Sequence, residues 1–404
     1  MGRITSFLRD AAWLTPERVR GYAVILGIAS VALLANSYLK AMGPDGSDFL
    51  AFWGAGNVTV AGDPAAAYDL AVQERVQTGT GSEGWFAFVN PPPFLFAAAP
   101  FGALPFPLAW IAWVLATYAL WAWASIRAFP RLWPIVLVFP GALIAAGHAQ
   151  TGLLTGALLA GGAALLEKRP VLSGALLGAL VIKPHLAVLV PFWLAGAGKW
   201  RAFLAAGASA IGLLLLSMLV FGIETMTAYT DSWEASALIM QGDDPGFYLR
   251  MASAYSQLRI AMPAGAALTL NLAISVGTIV LAFMAWRRMG RDTLASGALV
   301  LALTALASPY LFNYDLPFLI LPVCWLVHEG LRHGFRRWEK LLLVALFFAP
   351  YATRAAALPL GVNLMPLASL LLVWLVWSRG GVAKPHTPDA DIQTAGTGER
   401  HEFY

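Results

Sequence analysis

The chain contains few charged residues and almost no cysteine. Of its 404 residues, 12% are charged, whereas a soluble domain carries about 25%. The single cysteine, Cys324, excludes an intrachain disulfide and a cysteine metal site. A P-loop, a zinc-ligand spacing and a serine nucleophile elbow are also missing, which excludes the enzyme classes built on them. What is present is 59% hydrophobic with a mean hydropathy of +0.68, the composition of an integral membrane protein.

The basic residues are unevenly placed along the chain. They cluster between alternate pairs of apolar stretches, at Arg127/Arg131, Lys168/Arg169, Lys199/Arg201, Arg287/Arg288/Arg291, Arg332/Arg336/Arg337/Lys340 and Arg379/Lys384. This is the positive-inside pattern, which predicts that these loops are cytoplasmic. Two long, acid-rich connections, about 40–91 and 222–262, are then predicted to face outward, with amphipathic character. The formal net charge of +4 is therefore a topology signal, and it implies no nucleic-acid partner.

The apolar stretches predict an all-α membrane protein with about ten to twelve membrane helices. We place them at about 21–39, 92–126, 132–147, 151–166, 171–182, 186–197, 202–221, 264–286, 293–308, 316–331, 340–356 and 363–378. Residues 1–380 are predicted to form one domain, and the polar segment 381–404 a disordered cytoplasmic tail. The chain has no internal repeat of fixed period, which argues against a transporter built from inverted repeats.

Lys183 lies between the stretches 171–182 and 186–197 and is followed by Pro184 and His185. Each stretch has about 12 residues, too few to span a membrane alone, and both outer flanks are basic. We therefore predict a re-entrant pair of broken helices with Lys183 at its apex. An ionisable residue there is costly and points to a cavity or a ligand, here an anion. The alternative is a lysine that extends to the membrane interface.

Several short motifs together resemble glycosyltransferase family 87. In chain order they are Asp48-Phe49-Leu50-Ala51-Phe52-Trp53-Gly54-Ala55-Gly56, Gly62-Asp63-Pro64 with Tyr68-Asp69, Pro91-Pro92-Pro93, Gly147-His148-Ala149-Gln150, Ile182-Lys183-Pro184-His185, Lys199-Trp200-Arg201 and Ser308-Pro309-Tyr310. The resemblance covers about residues 20–380. It implies the C-type glycosyltransferase membrane fold and a sugar donor linked to polyprenyl phosphate, as in the related mannosyltransferases. It also implies a multi-pass protein of the cell membrane with an active site on the extracytoplasmic side, but it leaves the sugar and the acceptor open.

The chemistry of such a donor predicts two kinds of site residue. The acceptor hydroxyl needs a base, whereas the phosphate leaving group needs cations or hydrogen-bond donors. Asp48, next to the outer end of the first span, is the candidate base; the alternative is a helix N-cap.

Four residues are candidates for binding the donor phosphate: Lys183, His185, His148 and Gln150. His185 is equally consistent with a structural histidine, and His148 and Gln150 with a polar turn.

Weaker candidates for contacting the sugar or acceptor are Trp53, Asn313, Tyr314 and Asp315. Asp315 could instead pair with a cation, and Asn and Asp are also common in turns. No outer Asp-X-Asp pair resembles the metal site of nucleotide-sugar transferases, so we expect a metal-independent enzyme without a cofactor. The expected partners are the polyprenyl-phosphate-sugar donor, a lipid or glycan acceptor, and membrane lipids.

Two other classes of function remain open on the sequence alone. A secondary transporter would also place ionisable residues in broken helices, but it favours midplane carboxylates and symmetric halves. A non-catalytic scaffold or a carrier of lipid-linked sugars would retain the membrane helices without needing Asp48 for sugar transfer.

Overall fold

A computed structural model of the chain describes residues 2–241 and 244–380. Within these residues the secondary structure is helical, apart from one isolated antiparallel bridge between Met251 and Phe312. The α-helices are α1 (Gly2–Asp10), α2 (Pro16–Ala41), α3 (Phe49–Val60), α4 (Leu70–Thr78), α5 (Leu95–Gly102), α6 (Phe106–Ala128), α7 (Trp133–Leu137), α8 (Pro140–Gly147), α9 (Gly152–Leu165), α10 (Pro170–Gly178), α11 (Val190–Gly196), α12 (Trp200–Phe221), α13 (Ile223–Gln241), α14 (Pro245–Leu249), α15 (Ala254–Ala261), α16 (Ala264–Arg288), α17 (Thr293–Ala307), α18 (Ile320–His333), α19 (Glu339–Leu360) and α20 (Met365–Arg379). Short 3-10 turns lie at Pro64–Tyr68, Pro92–Phe94, Pro130–Leu132, Ala179–Ile182, Pro184–Leu186 and Asn313–Leu319.

Five of these helices are long and apolar enough to cross a membrane: α2, α6, α12, α16 and α19. A sixth crossing is possible if the bent pair Pro130–Leu137 and Pro140–Gly147 forms one span. Six shorter apolar helices accompany them, among them α9 and α17, which are almost wholly buried. The long helices carry apolar residues on the outside of the molecule, which a water-soluble protein would not expose over so large an area. The predicted multi-pass membrane protein is therefore confirmed.

The basic loops gather at one end of the molecule, called here the basic end. Contacts that join them are Lys199 with Glu167, Arg379 with Glu339, Arg288 with the Trp377 carbonyl, and Lys340 with the Ala11 carbonyl. Helix α19 runs from this end to the opposite one, and α9 runs in the reverse direction and ends just before Lys168 and Arg169. Since a helix rises 1.5 Å per residue, Arg354, fifteen residues after Glu339 in α19, lies roughly 22 Å from the basic end.

The segment 170–199 rises from the basic end and returns to it. Gly174 and Gly178 of α10 lie against the carbonyls of Ala202 and Ala206 in α12, so these two helices run parallel. At the base, Lys199 pairs with Glu167 at 2.8 Å, which brings the two flanks of the segment together. The ascending arm, α10 and the following 3-10 turn, is roughly 20 Å long. These contacts agree with the predicted re-entrant pair and place Lys183 at its apex.

The predicted single span 92–126 is wrong in its continuity. The structure divides it into the turn Pro92–Phe94, α5 and α6. Pro105 cannot continue the hydrogen-bond ladder of α5 and instead lies at the start of α6. At the break, a Cβ on Gly102 would lie 2.1 Å from the Gly56 carbonyl carbon, so the absence of a side chain allows α5 to pack directly on α3.

Two further differences from the sequence predictions concern local structure. The stretch 132–147 is bent by 51° between α7 and α8, because Pro140 has no amide hydrogen for the preceding turn. In the first long connection, α3 is buried on most of its surface rather than amphipathic, whereas α15 in the second is amphipathic as expected.

One cluster of buried hydrophobic residues extends from Ala23 in α2 to Val376 in α20. It is formed largely by α9, α17 and α18, around which the longer helices pack. The single domain 1–380 stays a prediction, and the tail 381–404 lies outside the described residues.

Candidate functional site

The carboxylate of Asp48 is not used for helix capping. Asp48 is the N-cap residue of α3, but its side chain accepts no hydrogen bond from the helix backbone. Four other aspartates at N-caps do make that bond, namely Asp63, Asp69, Asp244 and Asp292. The capping alternative is therefore excluded for Asp48, whose carboxylate is left partly exposed and available for other contacts.

A tight turn between α8 and α9 brings two of the predicted residues to Asp48. The Gln150 side-chain amide donates to Asp48 Oδ2 at 2.9 Å, and His148 Nδ1 lies 3.7 Å from the same oxygen. Between them, Ala149 has a φ of 46°, in the left-handed region that a non-glycine residue rarely adopts. Such backbone strain persists where the surrounding structure enforces it, often at functional sites. Here it directs both side chains toward one carboxylate.

Lys183 is buried in protein and paired with Asp315. Its ammonium group donates to Asp315 Oδ1 and, at 3.1 Å, to the Thr151 hydroxyl. Lys183 is 8% exposed and Asp315 fully buried, so the interfacial-lysine alternative is excluded. The other oxygen of Asp315 accepts from the Phe312 amide at 3.1 Å. Of the two roles that the sequence allowed for Asp315, the structure shows the pairing with a cation.

Gly152 makes this ion pair possible. A Cβ at this position would lie 1.8 Å from the Tyr314 carbonyl oxygen. With glycine, the first turn of α9 can approach the backbone around Asn313–Leu319, so Thr151 and Asp315 both reach Lys183 from different elements.

Aromatic side chains form one wall of the site. Phe312 and Tyr314 are stacked, with ring centroids 5.0 Å apart, and Lys183 lies 5.4 Å from the Tyr314 centroid. His148 is 6.0 Å from Tyr314, and His185 meets Tyr310 edge-on at 5.6 Å. His185 Nε2 is buried without a hydrogen-bond partner among the described residues. The wall thus connects the Asp48 group to the apex of the re-entrant pair.

His148 is electrostatically poised beside Asp48. Burial lowers the pKa of His148, the positive charge of Arg354 lowers it further, and Asp48 opposes the shift. His148 is therefore neutral at neutral pH, where it can exchange hydrogen bonds but adds no charge.

Arg354 is a site residue that the sequence analysis missed. It lies in α19, partly buried, and its charge interacts with Asp48, Tyr314 and His148. The predicted span 340–356 already contained this arginine in an otherwise apolar stretch. The criterion that singled out Lys183, an ionisable residue inside an apolar segment, would also have found Arg354.

Two of the weaker candidates are held by protein contacts. The indole N–H of Trp53 donates to the Leu104 carbonyl at 2.9 Å, and Trp53 lines a separate cavity of about 410 Å³. The Asn313 amide donates to the Pro350 carbonyl and accepts from Asn363. The structure thus brings together Asp48, His148 and Gln150, and joins Lys183, Tyr314 and Asp315, while Trp53 makes its contacts elsewhere. Their roles toward a substrate stay predictions.

The described residues contain no group of three or more His, Cys, Asp or Glu side chains that could hold a metal ion. The charged groups of the site are instead one free carboxylate, one ion pair and Arg354.

The comparison with family models decides the class of protein. The model of glycosyltransferase family 87 matches residues 88–309, more than half of the chain. The chain belongs to glycosyltransferase family 87. It is therefore a membrane glycosyltransferase, which decides against the transporter and carrier hypotheses. The match contains His148, Gln150, Lys183 and His185, whereas Asp48 lies before it and Arg354 after it. Neither a curated protein nor a solved structure matches the chain.

Proposed function

We propose that this family 87 glycosyltransferase transfers a sugar from a polyprenyl-phosphate donor to a lipid or glycan acceptor. The proposed sugar is mannose, or another hexose or pentose. Support for a lipid-linked donor comes from the position of the site among apolar helices and from cationic and amide groups around a single carboxylate. The orientation of the basic loops supports an active site on the extracytoplasmic side of the cell membrane.

The observation that carries this proposal is the carboxylate of Asp48, which does not cap α3 but accepts from Gln150 and lies beside His148. In the proposed reaction the acceptor hydroxyl oxygen attacks the anomeric carbon of the sugar. Asp48 takes the hydroxyl proton as general base, the bond from the anomeric carbon to the phosphate oxygen breaks, and polyprenyl phosphate leaves as an anion. Because that leaving group is stable when charged, it needs charge stabilisation rather than protonation.

The donor-side residues of the proposal are Lys183, His185, His148 and Gln150. Gln150 and the neutral His148 offer hydrogen-bond donors next to Asp48. His185 has a buried ring nitrogen with no hydrogen-bond partner in the described part of the chain. Tyr314, whose ring stacks on Phe312 and lies 5.4 Å from the Lys183 ammonium group, is a proposed contact for the sugar or the acceptor.

Replacing Asp48 with Asn tests the proposed base. In Asp48→Asn the side chain keeps its shape and can still accept a hydrogen bond from Gln150, but it cannot take a proton. The rate of single-turnover transfer from a labelled polyprenyl-phosphate sugar should therefore fall by about two to four orders of magnitude. Polyprenyl phosphate should still bind.

The matched control for this variant is Asp69→Asn. Asp69 is exposed and caps α4 through its side chain, a role that Asn fills equally well. Asp69→Asn should retain parental transfer. Transfer by Asp48→Asn at a rate close to that of Asp69→Asn would refute the assignment of the base.

A further inference from the structure

Two arginines lie on neighbouring elements close to the site, and no anionic side chain is bound to either of them in the part of the chain that the structure describes. Arg354 lies in α19, and Arg250 is the C-cap residue of α14, which packs against α19. Their positive charges act on each other, and Arg354 also interacts with Asp48 and Tyr314. Among the described residues, neither guanidinium has a hydrogen-bond or ion-pair partner within 4 Å. Like charges on neighbouring elements repel each other, and an anion bound beside both of them would offset that repulsion.

The positions of both arginines are fixed by hydrogen bonds of their neighbours. Beside Arg250, Met251 forms the bridge with Phe312, and the Ala252 amide donates to the Leu311 carbonyl at 2.7 Å. One helical turn before Arg354, the Pro350 carbonyl accepts from Asn313 at 2.9 Å.

Asn363 completes this network. Its side-chain amide donates to the carbonyls of Leu249 and Met251 and to Asn313. The same hydrogen-bond network therefore holds the backbone segments that carry the two arginines close to each other.

Because the ion pair at the apex has no net charge, the net positive charge of the site comes from the two arginines. Lys183 is neutralised by Asp315, and His148 is neutral at neutral pH. The two arginines exceed the single free carboxylate, Asp48, by one positive charge. A polyprenyl-phosphate sugar is a phosphodiester with one negative charge, which matches that excess.

We infer that Arg354, together with Arg250, binds the phosphate of the polyprenyl-phosphate donor, while Lys183 contributes hydrogen bonding from within its ion pair. This inference rests on the proposed function and deepens it. A guanidinium can donate two parallel hydrogen bonds to the two free oxygens of a phosphodiester. Because the charge of Arg354 acts on Asp48 and His148, a phosphate bound by Arg354 would lie close to the general base, and its growing charge would be stabilised as the sugar leaves.

Binding of a short-chain polyprenyl phosphate to the protein in nanodiscs tests this inference, with the matching uncharged polyprenol as reference. The parent protein should bind the phosphate much more tightly than the alcohol. Arg354→Gln should weaken phosphate binding by about ten- to a hundredfold and leave polyprenol binding unchanged. Arg354→Lys should be intermediate because an ammonium group keeps the charge but loses the fork of donors.

Two further variants keep the test decisive. Arg250→Gln alters an exposed residue that packing does not require, and it should weaken phosphate binding by about three- to tenfold. Arg75→Gln is the matched control, since Arg75 is exposed on α4 and its loss changes the net charge equally. Arg75→Gln should bind as the parent does.

The possible failures are distinguishable. Parental phosphate affinity in both Arg354→Gln and Arg250→Gln would overturn the arginine assignment while leaving the proposed function intact. If the parent protein binds polyprenyl phosphate no more tightly than polyprenol, and transfers no sugar from a labelled polyprenyl-phosphate sugar, the proposed function fails and the arginine assignment with it.

Discussion

At the scale of single residues, His148 gives a pH-dependent prediction for stability. Its pKa is lowered in the folded protein by burial and by Arg354. As the pH falls through about 6.5, the ordinary pKa of histidine, this residue binds a proton in the unfolded chain but not in the folded chain. The folded protein therefore loses stability on the acidic side. Compared with His148→Gln, the parent protein should therefore lose more thermal stability between pH 7.5 and 5.5.

Thermal unfolding of both proteins in detergent at these two pH values measures this difference. A parent and a variant whose unfolding temperatures fall by the same amount would show that His148 titrates as an ordinary exposed histidine and that its charge is not suppressed beside Asp48.

The residues of the site were predictable where they interrupt an apolar pattern. Lys183 followed from its position between two short stretches, and Asp48 from its place after the first span. The sequence could not show which side chain each charged residue contacts. The pairing of Lys183 with Asp315 joins residues 132 positions apart, and the free state of the Asp48 carboxylate depends on side-chain geometry. Arg354 meets the same criterion as Lys183, but it lies near the end of a predicted span, where an arginine is common.

At the scale of secondary-structure elements, the Lys183–Asp315 ion pair joins the apex of the re-entrant pair to the turn Asn313–Leu319. Lys183→Met should destabilise the protein by about 3–5 kcal/mol, because it leaves the fully buried Asp315 without a counter-charge. Adding Asp315→Asn should recover most of that loss, since Asn can still accept from the Phe312 amide. Thermal unfolding of the two variants beside the parent measures both effects.

The single variant unfolding at the parental temperature would show that the ion pair adds nothing to stability. A double variant as unstable as Lys183→Met would show that the two side chains do not act as a pair.

The apolar pattern predicted which segments are helical but not where each helix breaks. The breaks at 103–105 and 138–139 are caused by Pro105 and Pro140. A hydropathy average over a window does not detect single prolines. The direct contact of Gly56 with Gly102 also required knowledge of which helices pack together, because their sequence positions alone do not show it. In contrast, the re-entrant segment could be predicted because both its length and its flanking charges restrict the path of the chain.

At the scale of the whole molecule, the distribution of charge along the chain anticipated its polarity. The basic clusters meet at one end, and Asp48, Lys183 and Arg354 lie at the other. This follows from the alternation of basic loops with long helices, which requires only that successive helices cross in opposite directions. The packing of α9 and α17 within the core did not follow, because both are as apolar as the helices that surround them.

We propose that this glycosyltransferase takes its sugar from a lipid-linked rather than a nucleotide-linked donor. The most direct measurement incubates the purified protein in membrane lipid with labelled polyprenyl-phosphate mannose, arabinose or glucose, and in parallel with the corresponding nucleotide sugars, and then analyses the lipid products. We expect label in a lipid or glycan product from at least one polyprenyl-phosphate sugar, with a metal chelator present, and none from the nucleotide sugars. Label transferred only from a nucleotide sugar, and only with a divalent metal ion, would show that the donor is not lipid-linked.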